Sequence, residues 1–368
     1  TMTETELAAL CAAVTPPDEA ARAAAHAHWA SLAKPLGGLG GLETTIEDAA
    51  ALTGSAKLDI SCRAVLVLCA DNGVVAQGVS QTDSSVTRAV AENLAACRTS
   101  VCRMAQTARC EVVPVDMGIA GEPVPGVLDC RIAPGTADFT FGPAMSRAEA
   151  VEAIGRGIQL VREQKKAGVG LLATGEMGIG NTTTSAAVLS VLLDAPVEQV
   201  TGRGGGITDE AFQKKKAVIS RAIAINKPDR TDVVDVLAKV GGLDIAAMCG
   251  AFLGAAATKR PVVIDGFISA VAALCAVRLK PEVRDYLVPS HASFEIGYRL
   301  TMDAMGLQPM LLLGMRLGEG SGCPLAFQVL DAACAIMNEM ATFQQAGIDD
   351  GYLEEIRQGD KFTVEDAT

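Results

Sequence analysis

Two glycine-framed turns carry carboxylates and amides at spacings suited to work on a phosphorylated ligand. The first is Gly175-Glu176-Met177-Gly178-Ile179-Gly180-Asn181-Thr182-Thr183-Thr184-Ser185, between an apolar run at 169–174 and a second at 186–193. The flanking runs read as a buried parallel strand and the start of a helix, so the turn places free backbone N–H groups and a positive helix end where an anion can sit. Gly175 to Gly180 fits the frame of a P-loop, but Asn181-Thr182 stand where that motif has Lys-Ser or Lys-Thr. The lysine that reaches nucleotide phosphates is missing, and a phosphate other than that of ATP is expected. A P-loop kinase is accordingly the weaker reading. The second turn is Arg316-Leu317-Gly318-Glu319-Gly320-Ser321-Gly322. A carboxylate between glycines is sterically open to a planar ligand, can accept a ligand N–H, and can act as general base if apolar walls raise its pKa. The plainer alternative is a surface turn. Glu176 is the other candidate base, but it lies beside the expected phosphate, so Glu319 suits chemistry on a ring nitrogen and Glu176 suits sugar hydroxyls.

Three further glycine-flanked polar clusters, at 71–81, 202–209 and 290–297, are individually ordinary turn chemistry. Five in one α/β chain point to a shared site. The turn Thr201-Gly202-Arg203-Gly204-Gly205-Gly206-Ile207-Thr208-Asp209 precedes a helical run and offers a second set of amide donors, without the G-x-G-x-x-G pattern of a dinucleotide fold. Lys215 falls about two turns into that helix. It either reaches back to a phosphate or belongs to a solvated face with Lys214 and Lys216.

These turns need a scaffold, and the chain reads as repeated strand–turn–helix units. Strands are expected at 63–70, 110–116, 169–174 and 309–313, and strand–helix pairs at 232–258, 261–280 and 284–303. Helices are expected near 44–53, over 80–96, from Ser146 to about Lys166 with Glu149 at capping-box spacing, and over 182–193 and 208–226. Residues 3–33 and 324–358 read as helical ends. Parallel strands would line the turns along one carboxyl edge. The expected organisation is a helical segment 1–55, a large α/β domain 56–325 and C-terminal helices 326–368.

Composition narrows the function. Over 368 residues, 49% are hydrophobic, 4% aromatic and 37 are glycine, as in an α/β enzyme packed by small side chains. The net charge of −12, with no basic run beyond Lys214–Lys216, argues against nucleic acid. Eleven cysteines without C-x-x-C spacing and no secretory leader read as reduced thiols in a cytoplasmic protein, and three scattered histidines do not suggest zinc. No apolar run is long enough to cross a bilayer; the best two are interrupted by Asp244 and Asp265.

With these residues in hand, the chain resembles the nicotinate-nucleotide–dimethylbenzimidazole phosphoribosyltransferase family, which prepares the lower ligand of cobalamin. The resemblance covers about 34–325. It rests on Lys34-Pro35 with Leu42-Glu43, Ala70-Asp71-Asn72-Gly73 with Gly78-Val79-Ser80, the 175–183 turn, Gly202-Arg203-Gly204, Asp265-Gly266-Phe267, Ser290-His291 with Ser293 and Glu295, and 316–322. It implies a Rossmann-like parallel sheet flanked by helices, with a smaller helical domain formed by both chain ends. It also implies transfer of phosphoribose from nicotinate mononucleotide to a benzimidazole-type base, giving α-ribazole 5′-phosphate and nicotinate with inversion.

In that reading Glu319 and Glu176 are catalytic. Gly178, Ile179, Gly180, Asn181, Thr182, Thr183, Gly202, Arg203, Gly204, Gly205, Lys215, Asp265 and Ser293 bind the nucleotide; Ser80, Arg88, Met177, Leu317, Gly318 and Glu319 bind the base. No metal or other cofactor is implied, because the pyridinium leaving group becomes neutral as it departs. Partners would be the two small-molecule substrates and a second copy of the chain, or a related subunit in a heterodimer. Asn72, Gln81-Thr82-Asp83, Gly205 and Tyr298 depart from the family pattern. These departures gather on the side of the second substrate, which leaves benzimidazole, adenine and phenolic bases open.

Overall fold

The computed structural model describes residues 1–55 and 57–358. Its large unit is built on six parallel strands: β1 (Arg63–Ala70), β2 (Glu111–Gly118), β3 (Leu128–Asp129), β4 (Leu171–Met177), β5 (Val262–Ile264) and β6 (Leu287–Pro289). They lie in the order β3-β2-β1-β4-β5-β6. All eight residues of β1 are buried. The unbroken apolar run from Ala64 to Ala70 is what a parallel strand covered by helices on both faces requires. The strand order reverses between β1 and β4, and the crevice beyond their carboxyl ends is where open α/β sheets take ligands. Register places Leu68 opposite Glu176 and Cys69 opposite Met177, so Glu176 leaves the sheet at the carboxyl end of its central pair.

Small residues let the flanking helices approach closely. A Cβ on Gly157 of the helix Arg147–Lys166 would lie 1.9 Å from the Ala247 carbonyl oxygen. One on Gly250 of the helix Leu243–Ala257 would lie 1.9 Å from the Ile154 carbonyl oxygen. The backbones touch where other residues would hold them apart, which is why so few aromatics suffice for the core. The helix Arg147–Lys166 starts with the expected capping box between Ser146 and Glu149. Among the described residues no helix is long and apolar enough to cross a membrane.

Several expectations need correction. The run 309–313 is not a strand: it makes one isolated bridge, Leu311 to His291, and leaves Leu312 and Leu313 exposed. An apolar run reads as buried only when a neighbour covers it, and here the covering strand is absent from the described residues. The stretch 232–258 is a helix pair, Val233–Val240 and Leu243–Ala257, with Asp232 capping the first and Gly241-Gly242 breaking between them. The helix expected from residue 80 begins at Ser85, after a 3-10 turn at Gly73–Gln77.

The chain divides into two compact units, Thr1–Pro16 with Asp59–Gln328 and Pro17–Leu58 with Val329–Thr368. The first sixteen residues therefore join the large unit, where 1–55 was expected to stay together. The helix Glu4–Ala13 is fastened there by the Met2 amide donating to Glu152 (3.1 Å) and by an ion pair between Arg147 and Glu4 (2.7 Å). In the second unit, the Lys34-Pro35 and Leu42-Glu43 motif is structural. Lys34 pairs with Glu43, which also accepts the Leu39 amide at 3.1 Å, and the Lys34 ammonium lies over the Trp29 ring.

Candidate active site

Four strands deliver the site. β4 ends in the turn Gly178-Ile179-Gly180, whose last residue takes φ +90° and caps the helix Asn181–Leu193. The turn is packed too tightly for side chains. A Cβ on Gly178 would lie 2.5 Å from the Ala70 carbonyl oxygen, and one on Gly180 would lie 2.8 Å from the Val75 side chain. The amides of Ile179, Asn181 and Thr183 are occupied by Thr87, Gly178 and Gly180. No bond within the described residues occupies those of Gly180 and Thr182, which leaves two donors at a helix N-terminus.

Asn181 explains the departure from a P-loop. Its side chain is buried and donates to Glu176 and, at 3.0 Å, to Asp244 at the start of the helix Leu243–Ala257. One amide thus joins two buried carboxyls. Burial, reinforced by Asp244, Asp265 and Glu319, pushes Glu176 well above the usual carboxylate range even though the Asn181 bond opposes it. Burial likewise raises Asp244 to about 6.

The second glycine-rich element of the site is the turn 202–206 ahead of the helix Asp209–Asn226. Lys215 is 1% exposed and points back into the site, donating to the Thr182 hydroxyl at 2.9 Å and the Gly202 carbonyl at 2.8 Å. Of the two readings open from the sequence, the solvated face is excluded. Burial lowers its pKa to about 8, with Glu295 opposing the shift. Glu295 packs against Gly202, where a Cβ would lie 1.9 Å from its carboxylate, and it takes the Gly204 amide. Arg316 donates to the Gly204 carbonyl at 3.3 Å, and the Arg203 guanidinium lies 4.7 Å from the Phe212 ring. A chain of net charge −12 therefore gathers three cations around one turn.

Glu319 enters from the opposite wall. Gly318, Glu319 and Gly320 take φ values of +87°, +61° and +79°. Glutamate seldom adopts this left-handed conformation, and such strain persists only where the surroundings impose it. Here β4 does so: a Cβ on Gly175 would lie 2.4 Å from the Gly320 nitrogen, and one on Gly318 would lie 2.6 Å from a Glu176 carboxylate oxygen. Glu319 is half-buried, and burial first, then the charge of Asp265, raises its pKa.

These walls enclose a cleft of about 220 Å³. Of the expected residues, Ser80, Glu176, Met177, Gly178, Ile179, Gly180, Asn181, Thr182, Arg203, Gly204, Gly205, Ser293, Leu317, Gly318 and Glu319 line it. Gly202 and Lys215 stand directly behind the lining. Three others do not share it. Thr183 is wholly buried within its helix. Arg88 is spent on Glu92 (3.2 Å) and the Glu122 carbonyl (2.7 Å). Asp265 lies beneath the cleft, accepting the amides of Gly320 and Gly322.

A phosphoribosyltransferase family profile matches residues 14–348. The nicotinate-nucleotide–dimethylbenzimidazole phosphoribosyltransferase of Ruminiclostridium cellulolyticum is 49% identical over 320 residues, spanning 87% of this chain and 91% of that protein. The protein of that name from Clostridium tetani is 44% identical over 347 residues, 94% of this chain and 96% of the other. A crystal structure bearing that name, from Thermus thermophilus, matches with a TM-score of 0.85 at 40% identity, over 91% of this chain and 100% of that one.

The chain belongs to the nicotinate-nucleotide–dimethylbenzimidazole phosphoribosyltransferase family. Within this phosphoribosyltransferase, sequence reasoning passes over Gln81 and Thr82 in the cleft wall and four titratable or charged residues of the site. Glu295, Arg316 and His291 line the cleft, and Asp244 is buried behind it. The first three stand inside the glycine-flanked polar clusters, so the cluster is the available signal. Asp244 carries none, since it reads as one acid in an apolar helix. Asn72, a departure from the family pattern, donates to the Ile179 carbonyl at 3.3 Å and so braces the turn Gly178-Ile179-Gly180.

Proposed function

We propose that this phosphoribosyltransferase moves the phosphoribosyl group of nicotinate mononucleotide to 5,6-dimethylbenzimidazole or a related base, releasing nicotinate and α-ribazole 5′-phosphate with inversion at the anomeric carbon. One observation carries the reading. A half-buried carboxylate, Glu319, is held in a strained conformation across a single cleft from a helix N-terminus flanked by Lys215, Arg203 and Arg316. The 5′-phosphate would lie on Gly180–Thr182 and the 202–205 turn, with Lys215 supplying charge. Glu176, pushed by burial toward its neutral form, can hydrogen-bond a ribose hydroxyl with less repulsion of that phosphate than an ordinary carboxylate.

Glu319 takes the benzimidazole N–H proton as the other ring nitrogen attacks the anomeric carbon. The carbon–nitrogen bond to nicotinate breaks, and its electron pair neutralises the pyridinium. A base with a raised pKa is better matched to this transfer than an ordinary carboxylate. Alignment of the two substrates in one cleft supplies much of the rate. The site is expected to work in a cytoplasmic homodimer. Leu312, Leu313, Phe294 and Ile296 are exposed on adjacent segments, tied by the Phe294 amide donating to Met315 at 3.0 Å, and a second copy would cover them.

The test is to incubate the purified chain alone with nicotinate mononucleotide and a panel of benzimidazoles, adenine and phenols. Nicotinate release with at least one base is expected, and none with any base would sink the proposal. Replacing Glu319 by Gln should lower kcat by about 10²–10⁴-fold while mononucleotide binding persists.

A further inference from the structure

Asp265 carries a wholly buried carboxylate at the end of β5, with no place in the cleft wall. Its two oxygens divide their work. Oδ2 accepts the Gly320 amide and Oδ1 accepts the Gly322 amide, each at 2.9 Å. Gly320 follows Glu319 directly and Gly322 lies three residues beyond it, on a loop whose Gly318, Glu319 and Gly320 are all left-handed. The far end of that loop is wedged at the exit of β6, where a Cβ on Gly322 would lie 2.1 Å from His291 Nδ1 and 2.8 Å from Ser290 Oγ. A three-residue left-handed run has no local reason to persist. Asp265 offers an acceptor to the Gly320 amide within that run and to the Gly322 amide just beyond it, and a carboxylate is the side chain that can accept both.

We propose that Asp265 is a positioning residue for phosphoribosyl transfer: its carboxylate gathers the Gly320 and Gly322 amides and so holds Glu319 over the cleft, without touching the nucleotide. The inference rests on the reading of Glu319 as the base. The groups that face Glu319 and Asp265 are Cys69 from β1, Glu176 from β4, His291 beyond β6 (Nδ1 at 3.8 Å from Asp265 Oδ1), Tyr298 from the helix Ile296–Met305 and the Cys323 thiol at the head of the next helix. Burial holds His291 toward its neutral form and raises the Asp265 carboxyl, each partner opposing the other's shift, and the charge of Asp265 raises Glu319.

Asp265→Asn tests the proposal, because asparagine keeps the shape but can accept only one of the two amides. We expect kcat to fall by roughly 10–100-fold through misplacement of the base. The dissociation constant for nicotinate mononucleotide, by titration calorimetry, should stay within about twofold. The acid limb of the kcat–pH profile should move to lower pH, since removing a neighbouring negative charge makes Glu319 easier to ionise. In an E319Q background, D265N should cost no more than about twofold further.

Weakened mononucleotide binding with unchanged kcat would make Asp265 a nucleotide ligand and overturn the proposal. Multiplicative losses in the double variant would overturn it too. Full activity of E319Q would refute the base assignment, whereas an inactive E319Q beside a normal D265N would refute only the role of Asp265. Amide exchange on the unaltered chain does not depend on the variant folding. Gly320 and Gly322 should be protected relative to Glu319, and unprotected exchange at both would overturn the proposal.

Discussion

Replacing Gly175 by alanine should cripple turnover while leaving the nucleotide bound. The new Cβ would lie 2.4 Å from the Gly320 nitrogen, 2.5 Å from its Cα and 2.7 Å from the Glu319 carbonyl carbon, where ordinary contact begins near 3.4 Å. All three neighbours are backbone, so no side-chain tip can swing aside. Nor can the strand retreat, because Gly175 lies in the centre of β4, in register with Val67 of the wholly buried β1. The loop must therefore withdraw by about 1 Å, a displacement at a catalytic group that costs on the order of 10²-fold in rate. That corresponds to about 2.7 kcal/mol of barrier. Overpacking should cost stability about 1–3 kcal/mol, which leaves a folded protein to assay. Steady-state release of nicotinate measures kcat, calorimetry gives the mononucleotide dissociation constant, and far-UV circular dichroism checks the fold. A folded G175A chain with kcat within about threefold of the parent would refute the claim that this close approach places Glu319.

Two further outcomes follow from buried charges. Lys215 has its pKa lowered to about 8, so its cation is lost as pH rises through that value. kcat/KM for the mononucleotide should decline above about pH 8 while kcat declines less, because bound phosphate holds the proton on; K215M should weaken binding roughly 10–100-fold by calorimetry. Asp244 is raised from 3.8 to about 6, mainly by burial, so the folded state binds more protons than the unfolded one between those values. Its contribution is fully present below about pH 4 and is lost as pH rises through about 6, a fall of about 3 kcal/mol. Urea midpoints from pH 4 to 7 should show this decline in the parent and a flatter profile in D244N.

Much was legible from the chain alone because it is written locally. The unbroken apolar run of β1, the Ser146–Glu149 cap and the strand–turn–helix around Gly178 depend on residues within a few positions of one another. Burial was not local. The run 309–313 is as apolar as a core strand, yet it pairs at a single bridge, because whether a strand forms depends on a partner elsewhere in the chain. The roles of polar residues were less legible still. Asn181 looked like a flawed P-loop position until Asp244, 63 residues away, came within 3.0 Å of it. Asp265 gave no sign in the sequence of its loop contact, because Gly320, which donates to it, is 55 residues on. Sequence determined which turns could bind an anion or carry a base. Only the tertiary structure decided which carboxyl opens on the cleft and which accepts the amides of the loop beneath it, because that depends on backbone amides brought together by folding.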